Sequence, residues 1–282
     1  MVDIQCIINQ INNLKPIPRV AEQIMRIIGS GEYNLRHLTE ILCYDAAMTA
    51  NLIRMANSAW FKRSQPCETL HQAVVFLGVD QVVQLALMSA SAECLKRGQP
   101  GYQLAQGHLW RYSVCSALVA KELAAKKAIG DKHMIYTAAL LKDIGKIVLS
   151  QHVAEHFMRI DEVMAEKGCD FMEAERTVIG IDHAELGGLL LKTWNFSDTM
   201  VRIVANHHEP QRAGLYVAEA SVVYLADVLC MMAGINDGTD GLDYTFYRNV
   251  VEHLRITSTE MQHIMMDIPE KLEMIALLNG EE

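Results

Sequence analysis

Hydrophobic residues recur at intervals of three and four along most of the chain, and the alternation typical of β-strands is scarce. Met48, Leu52 and Met55, for example, mark one face of a helix that Asp45 is placed to cap. Further along, Gly78 has the position of a residue that ends a helix. Similar stripes continue toward the C-terminus, and the prolines fall between them. The pattern predicts an all-α protein, a helical bundle in two lobes.

The stretch Lys96–Gly101 interrupts this rhythm, because it brings two glycines and a proline close together. We therefore expect a domain boundary there, with one helical lobe over residues 1–98 and a second over residues 99–282. In the second lobe, apolar periodicity predicts one helix over residues 134–149 and another over residues 154–167.

The composition limits the classes of function. Hydrophobic residues make up 51% of the 282 residues, which is enough for a packed core and too much for a disordered chain. With 25 basic and 34 acidic residues the net charge is −9, which disfavours nucleic-acid binding because that needs a positive field. No apolar run approaches the roughly 20 residues of a membrane span, and the start lacks the basic region of a signal peptide. The seven cysteines are scattered and never in CxxC spacing, so we expect reduced thiols in a cytoplasmic protein.

Candidate chemistry comes from polar residues that interrupt apolar helical segments of the second lobe. Helical bundles build metal sites from imidazoles and carboxylates that converge from several helices. The residues concerned are Asp143, His183, His207, His208 and Asp227.

Most of these residues also have a purely structural explanation. Asp143 can be a salt-bridged carboxylate in the core, and His183 can be a first-turn residue of a helix that Asp182 caps. His207 and His208 precede a proline, where a helix ends and an imidazolium is favoured without any metal. These explanations do not account for the joint occurrence of the residues.

In combination, the motifs around these residues resemble the HDOD (HD-related output domain) proteins of bacterial signalling, which are related to the HD superfamily of metal-dependent phosphohydrolases. The resemblance spans roughly residues 11–233 and implies an N-terminal HDOD lobe and a C-terminal HD-like lobe. The segments that carry it are Leu14–Ala21, Tyr44–Thr49, Leu52–Phe61, Ala73–Asp80, Leu109–Ser113, Lys142–Lys146, Gly180–Gly187 and His207–Pro210.

The ligands that the family pattern implies for a first metal are largely missing. An active HD enzyme holds that metal with a histidine on an early helix, a His-Asp doublet and a later aspartate. Here Tyr112 and Lys142 stand at the two histidine positions, and only Asp143 and Asp227 remain. A protonated lysine has no lone pair and repels a cation, so the resemblance implies that this site is lost.

The ligands that the resemblance implies for a second metal are retained. They are Asp143, His183, His207 and His208. Three nitrogens and one oxygen suit a single Fe, Zn, Mn or Ni ion. The alternative is a hydrogen-bonded polar core without an ion, in which Lys142 or Lys146 pairs with Asp143.

The resemblance implies a non-catalytic signal-transduction module of the bacterial cytoplasm. Such a module acts through a signalling-protein partner or a small ligand such as a nucleotide, with Lys142, Lys146 and Asp227 as candidate ligand contacts. Two alternatives stay open. One is a metal-dependent phosphodiesterase acting on a nucleotide or cyclic dinucleotide, although the Gly-Tyr-Pro extension of such enzymes is absent from the sequence. The other is a metal or nucleotide sensor.

Overall fold

The computed structural model describes residues 35–61, 65–235 and 247–279, together with a few isolated residues before them. The sequence motif Leu14–Ala21 lies outside the described residues. In the part of the chain that is described, the regular elements are helices, and the one β-type contact is an isolated bridge between Gln99 and Leu104. The all-α prediction is confirmed.

The described helices follow one another closely, and three of the connections that the structure describes contain a short 3-10 turn. In chain order the described elements are α1 (Leu35–Leu42), α2 (Ala46–Ala56), a 3-10 turn (Ala59–Phe61), α3 (Leu70–Leu95), a 3-10 turn (Pro100–Tyr102), α4 (His108–Lys127), α5 (Lys132–Leu141), α6 (Lys146–Lys167), α7 (Phe171–Val178), α8 (His183–Thr193), α9 (Asp198–Ala205), a 3-10 turn (Pro210–Tyr216), α10 (Val217–Met232), α11 (Arg248–Leu254), α12 (Ser258–Met266) and α13 (Ile268–Asn279).

Side chains that accept hydrogen bonds from otherwise unpaired backbone N–H groups set the starts of several helices. Asp45 accepts from the Met48 amide at 2.9 Å, as the sequence predicts, and Asp182 caps α8 in the same way. At α12, Thr257 and Glu260 form a reciprocal capping box. These bonds explain why the helix starts can be located from the sequence.

Within the described ranges, two segments are long and apolar enough to cross a membrane, Leu70–Ala92 and Pro210–Met232, with mean hydropathies of 1.7 and 1.6. Both are interrupted. Gly78 breaks α3 with φ 73° and ψ 170°, which confirms the predicted helix end, and Gly214 breaks the segment before α10 with φ 67° and ψ −117°. The helix α10 itself has 16 residues, about 24 Å, which is shorter than a hydrocarbon core of about 30 Å. More than half of each segment is buried inside the protein, so both contribute to its core.

The structure corrects one helix boundary of the sequence analysis. The predicted helix over residues 134–149 ends at Leu141, and α6 begins at Lys146 and continues through the predicted gap. Gly145 lies in the turn between them, and a Cβ atom there would stand 2.0 Å from the His183 carbonyl oxygen. Only glycine allows this approach, so the break depends on a tertiary contact that apolar periodicity does not register.

The described residues group into two compact units. The smaller unit comprises the described part of residues 35–93 together with residues 269–279, and the larger unit comprises the described part of residues 94–268. The sequence pattern predicts a boundary at residue 98 and places the C-terminal residues in the second lobe. The smaller unit is instead discontinuous in sequence, because most of α13 groups with α1, α2 and α3.

In the smaller unit, Asn57 fixes the loop that follows α2. Its side-chain nitrogen donates to the Cys67 carbonyl oxygen at 2.9 Å, and its side-chain oxygen accepts from the Cys67 amide at 2.6 Å. Cys67 lies in a buried cluster with Ala56 and Ala73. Asn57 therefore has a folding role, since it satisfies the backbone of a loop that is partly buried.

In the larger unit, α4 packs on α5 and α10, and α8 packs on α9. The residues of α10 from Ala220 to Cys230 are all buried, including the charged Asp227. A carboxylate at this depth requires compensating partners. The partners of Asp227 include Lys142 and Tyr112, which lie in the candidate functional site.

Candidate metal centre and the ion pairs beside it

The structure brings together the residues that the sequence analysis selected, all within the larger unit. They come from the region where α5 ends and α6 begins, from the start of α8, from the loop after α9 and from the interior of α10. In that order they are Lys142, Asp143, Lys146, His183, His207, His208 and Asp227.

Lys142 lies at the centre of a buried ion-pair network. Its Nζ contacts Asp143 Oδ2 and lies 2.7 Å from Asp227 Oδ1. Tyr112 donates its hydroxyl proton to the same Asp227 oxygen at 2.7 Å, and Lys142 Nζ lies 4.5 Å from the centre of the Tyr112 ring. Burial opposes the charged ammonium, but the two carboxylates outweigh it and raise the pKa of Lys142. The side chain is therefore a fixed cation between two aspartates.

Asp143 is neutralised from two sides. Besides its contact with Lys142, it accepts from Lys146 Nζ at 2.8 Å through Oδ1. Burial would raise the pKa of this carboxyl group, yet the two ammonium groups outweigh burial and hold the pKa well below its usual range. Both ion pairs that the sequence analysis considered are present. A metal ion that used Asp143 would have to compete with two ammonium groups.

The three histidines lie beside Asp143, and their ligand nitrogens are within 4.8 Å of one another. His183 Nε2 lies 2.9 Å from His208 Nε2. In a tetrahedral shell with bonds of about 2.1 Å, two ligand nitrogens are about 3.4 Å apart, so the cluster is close to the size that one transition-metal ion needs. Asp143 Oδ1 stands 3.6 Å from His183 Nε2 and 4.0 Å from His207 Nε2. We call His183, His207 and His208 the histidine cluster.

His207 presents an unused lone pair to this cluster. Its Nδ1 donates to the Val204 carbonyl oxygen at 2.8 Å, which assigns the ring proton to Nδ1. Burial lowers the pKa of His207 to about 4, so the ring is neutral near pH 7. Nε2 therefore carries a lone pair, and this buried atom has no hydrogen-bond partner among the residues that the structure describes. A buried acceptor in this state is unfavourable unless an ion or a water completes it, so His207 fits a metal site.

His208 connects the histidine cluster with the surface, because it is half-buried while His183 and His207 are fully buried. Burial of the ring lowers the pKa of His208 well below its usual range. His207 and His208 are therefore both neutral near pH 7, and each can offer a nitrogen lone pair to a metal ion. The side of His208 is the side from which a ligand can reach the cluster.

Glu175 on α7 and Tyr102 in the turn before α4 also belong to this site, although the sequence pattern does not predict them. Glu175 is fully buried, and its Oε2 accepts from the His183 amide at 3.1 Å and from His183 Nδ1 at 2.9 Å. Tyr102 donates its hydroxyl proton to Glu175 Oε1. Burial opposes protonation of His183, but Glu175 outweighs it and raises the pKa of His183. In sequence Glu175 stands among charged residues, as on a solvent-exposed helix face, so the pattern did not single it out.

The three candidate ligand contacts, Lys142, Lys146 and Asp227, lie in the ion-pair network. Their side chains are at most 4% exposed. They bind groups of the protein itself, and their contact with a separate ligand stays a prediction.

Comparison with known proteins finds a relative that is longer than the matched region. An uncharacterized protein of Treponema pallidum (strain Nichols) is 23% identical over 205 residues. The match covers 72% of this chain and 39% of that protein, so the chain spans about two fifths of its relative.

Several solved structures share the fold. An HDOD domain protein of unknown function from Geobacter sulfurreducens gives a TM-score of 0.70 at 20% identity, covering 99% of this chain and 95% of that one. A protein from Marinobacter aquaeolei VT8, provisionally named a signal transduction protein, gives 0.77 at 21% identity, covering 95% of this chain and 60% of that one. A protein from Shewanella amazonensis SB2B, provisionally named a metal-dependent phosphohydrolase, gives 0.58 at 18% identity, covering 99% and 98%. At these identities the likeness establishes the fold alone.

The family assignment comes from the sequence match. The model of the HDOD domain matches residues 14–210, which is more than half of the chain and includes the histidine cluster, Lys142 and Asp143. Asp227 lies beyond the matched range. The chain belongs to the HDOD domain family.

Proposed function

We propose that this chain is a non-catalytic signalling module of the HDOD family. The observation that carries the proposal is the position of Lys142 Nζ, in contact with Asp143 and 2.7 Å from Asp227 Oδ1. By resemblance to HD enzymes, these two aspartates are the remaining ligands of the first metal, so the lysine takes the place of that ion. The likeness to a protein provisionally named for signal transduction supports the same proposal.

The charges around Lys142 argue against a metal ion in its place. The two ammonium groups of Lys142 and Lys146 already balance the carboxylates of Asp143 and Asp227. A divalent ion between the aspartates would be repelled by both lysines across a few ångströms of dry interior. Two-metal hydrolysis of a phosphate ester needs both ions to clamp the attacking and leaving oxygens, so we do not expect turnover.

Turnover assays test this proposal directly. The purified chain is incubated with cyclic dinucleotides and with bis(p-nitrophenyl) phosphate in the presence of Mn²⁺ or Fe²⁺. We expect no hydrolysis above the level of the Asp143→Ala variant. Enzyme-like turnover that Asp143→Ala abolishes would contradict the proposal and favour the phosphodiesterase alternative.

Restoring the two missing histidines is a sharper test of the role of Lys142. In the double variant Tyr112→His, Lys142→His the ammonium group is replaced by metal-binding nitrogens. We expect this variant to bind one more divalent ion per chain than the unaltered protein. The control Tyr112→Phe, Lys142→Met removes the same groups without adding ligands and should bind no additional ion. If the histidine variant also gains no ion, Lys142 is not what excludes the first metal.

A second candidate function, a metal sensor, is favoured by the Nε2 atom of His207, which has no hydrogen-bond partner in the described part of the chain. His183, His207 and His208 would hold the ion, while Asp143 keeps its two lysines. Three nitrogen ligands favour Zn²⁺, Co²⁺ or Ni²⁺ over Mn²⁺, which prefers oxygen. A bound ion would supply Lewis acidity and a coordination position for a further ligand.

Equilibrium dialysis and thermal unfolding with Zn²⁺ test the sensor candidate. We expect one ion per chain and a higher unfolding midpoint, because an ion that binds only the native state stabilises it. His207→Ala should abolish both effects, whereas His71→Ala, which alters an exposed histidine of α3, should leave them intact. Binding that both variants retain would overturn the assignment to the histidine cluster.

A module that catalyses no reaction can transmit a signal only by binding another molecule. The proposal therefore includes a signalling-protein partner in the cytoplasm. The cysteines within the described residues are free thiols, which agrees with a reducing compartment. The sensor candidate has a second form, in which the ligand is a nucleotide. Thermal shifts measured with nucleotides in the absence of metal distinguish a nucleotide sensor from a metal sensor.

A further inference from the structure

The members of the histidine cluster differ in what fixes their rings. A backbone carbonyl oxygen holds Nδ1 of His207, whereas the carboxylate of Glu175 holds Nδ1 of His183 at 2.9 Å. A carboxylate paired in this way only accepts, so the proton of His183 lies on Nδ1. In the neutral ring, Nε2 then carries a lone pair, directed toward His208 Nε2 at 2.9 Å and Asp143 Oδ1 at 3.6 Å.

Glu175 is itself held in position by the turn before α4. Tyr102, fully buried, donates to Glu175 Oε1, while the Tyr102 ring lies 5.9 Å from the Phe171 ring and 6.0 Å from the His183 ring between centroids. The neighbouring Gly101 amide donates to a serine hydroxyl of α6 at 3.1 Å. The turn is thus docked on α6, and the Glu175 carboxylate has bonds on both oxygens.

The next residue of α7 holds the segments that flank the histidine cluster. Arg176 Nε lies 2.6 Å from Asp182 Oδ2, and its terminal nitrogen lies 3.0 Å from Glu209 Oε2. Asp182 directly precedes His183, and Glu209 directly follows His208. Arg176 therefore fixes the backbone around the cluster, whereas Glu175 forms a hydrogen bond with an imidazole ring in it.

We infer that Glu175, locked by Tyr102, is the positioning residue that keeps the lone pair of His183 Nε2 directed into the histidine cluster and so sets its affinity for a divalent transition metal. The inference rests on the metal-sensor candidate of the proposed function. A metal-binding histidine gains basicity and a fixed orientation when its other nitrogen donates to a carboxylate, and losing that partner weakens metal affinity about 10- to 100-fold.

The first test needs no metal. Nitrogen-15 NMR of the histidine side chains, recorded at alkaline pH on the metal-free protein, reports which nitrogen of His183 carries the proton. We expect Nδ1 in the unaltered protein, in the conservative variant Glu175→Gln, whose side-chain oxygen still accepts, and in the control Arg176→Met. In Glu175→Leu the proton should shift substantially to Nε2. If it stays on Nδ1 in Glu175→Leu, the inference is overturned.

The second test measures metal affinity by titration with Co²⁺, whose visible spectrum reports the ligand geometry. Glu175→Leu should weaken binding about 10- to 100-fold and alter the spectrum, and Glu175→Gln should recover part of the loss. Arg159→Met, which removes an exposed ion pair with Glu162 on α6, should bind as the unaltered protein does. Tyr102→Phe, which removes only a hydroxyl group, gives a milder second variant in case Glu175→Leu does not fold, and it should weaken binding by less.

The two failures are distinguishable. If the unaltered chain does not bind Co²⁺, the metal-sensor candidate is wrong and the inferred effect of Glu175 on metal affinity falls with it. If the unaltered chain binds Co²⁺ but Glu175→Leu and Tyr102→Phe bind it equally well with the same spectrum, the metal centre stands and the positioning role of Glu175 is wrong.

Discussion

Replacing Lys142 by methionine removes the positive charge between Asp143 and Asp227 while keeping a side chain of similar length in the core. In the folded protein the network of Lys142, Lys146, Asp143 and Asp227 carries two positive and two negative charges. After the substitution it carries one uncompensated negative charge in the interior. Asp143 keeps Lys146, but Asp227 loses the ammonium group at 2.7 Å.

The structure sets the size of the effect. Both the lysine side chain and its two carboxylate partners are nearly inaccessible to solvent, with exposures of 0%, 1% and 4%. Removing one partner of a buried ion pair destabilises a protein by about 3–5 kcal/mol, because the other charge is left without compensation. At a denaturant slope of about 3 kcal/mol per M, this lowers the urea midpoint by roughly 1 M or more.

The measurement is urea unfolding followed by tryptophan fluorescence in a Trp60→Phe background. The two remaining tryptophans, Trp110 and Trp194, then both report on the larger unit. The matched control is Lys126→Met, because Lys126 pairs with Glu122 at 2.6 Å but its side chain is 47% exposed. Exposed pairs contribute at most about 1 kcal/mol, so we expect the control to stay close to the unaltered protein.

A double variant distinguishes the effect of the unbalanced charge from the effect of the altered side-chain shape at residue 142. Lys142→Met together with Asp227→Asn removes both a positive and a negative charge, so it should recover a large part of the lost stability. If Lys142→Met is no less stable than Lys126→Met, or if the double variant is less stable than Lys142→Met, the buried ion-pair network does not have the energetic role assigned to it.

Three further predictions concern other contacts. Gly145→Ala would place a Cβ atom 2.0 Å from a carbonyl oxygen of α8, so we expect a loss of at least about 2 kcal/mol in thermal unfolding, whereas Gly98→Ala, with its closest contact at 3.5 Å, should be tolerated. Asn57→Ala loses two hydrogen bonds to a partly buried backbone and should destabilise the smaller unit by about 1–3 kcal/mol, measured by Trp60 fluorescence; an unchanged midpoint would contradict its folding role. Hydrogen bonds from Lys127 and the start of α12 lower the pKa of Glu260 to about 2, below its unfolded value, so the stability it contributes is present above about pH 4.5 and is lost as the pH falls toward 2; NMR titration should show the pKa rising in Lys127→Met, and no rise would refute the assignment.

Much of the helical framework could be predicted from the sequence because its signals are local. Asp45 and Asp182 cap helices through bonds to amides three residues ahead, and Gly78 adopts a positive φ that other residues avoid. The polar residues of the site were also found by a local signal, since Asp143 and Asp227 stand in strongly apolar helical segments where a charge is unfavourable without a partner.

What the sequence could not show depends on contacts between distant segments. The turn at Gly145 is invisible to periodicity, because apolar residues continue at helical spacing before and after it and the reason for the glycine is a carbonyl oxygen of α8. Glu175 was missed for the opposite reason. Its surroundings in sequence are charged, and only the fold turns it inward, toward Tyr102 and His183, rather than toward solvent.

The positive charge between Asp143 and Asp227 belongs to a side chain of the polypeptide and not to a bound ion. A metal ion in that position could be withdrawn by a chelator or be missing in a starved cell, and the core around it would then be incomplete. The ammonium group of Lys142, in contrast, is present in every chain that is synthesised. The contact between α4 and α10, which Tyr112 and Asp227 complete, therefore forms independently of the supply of any ion.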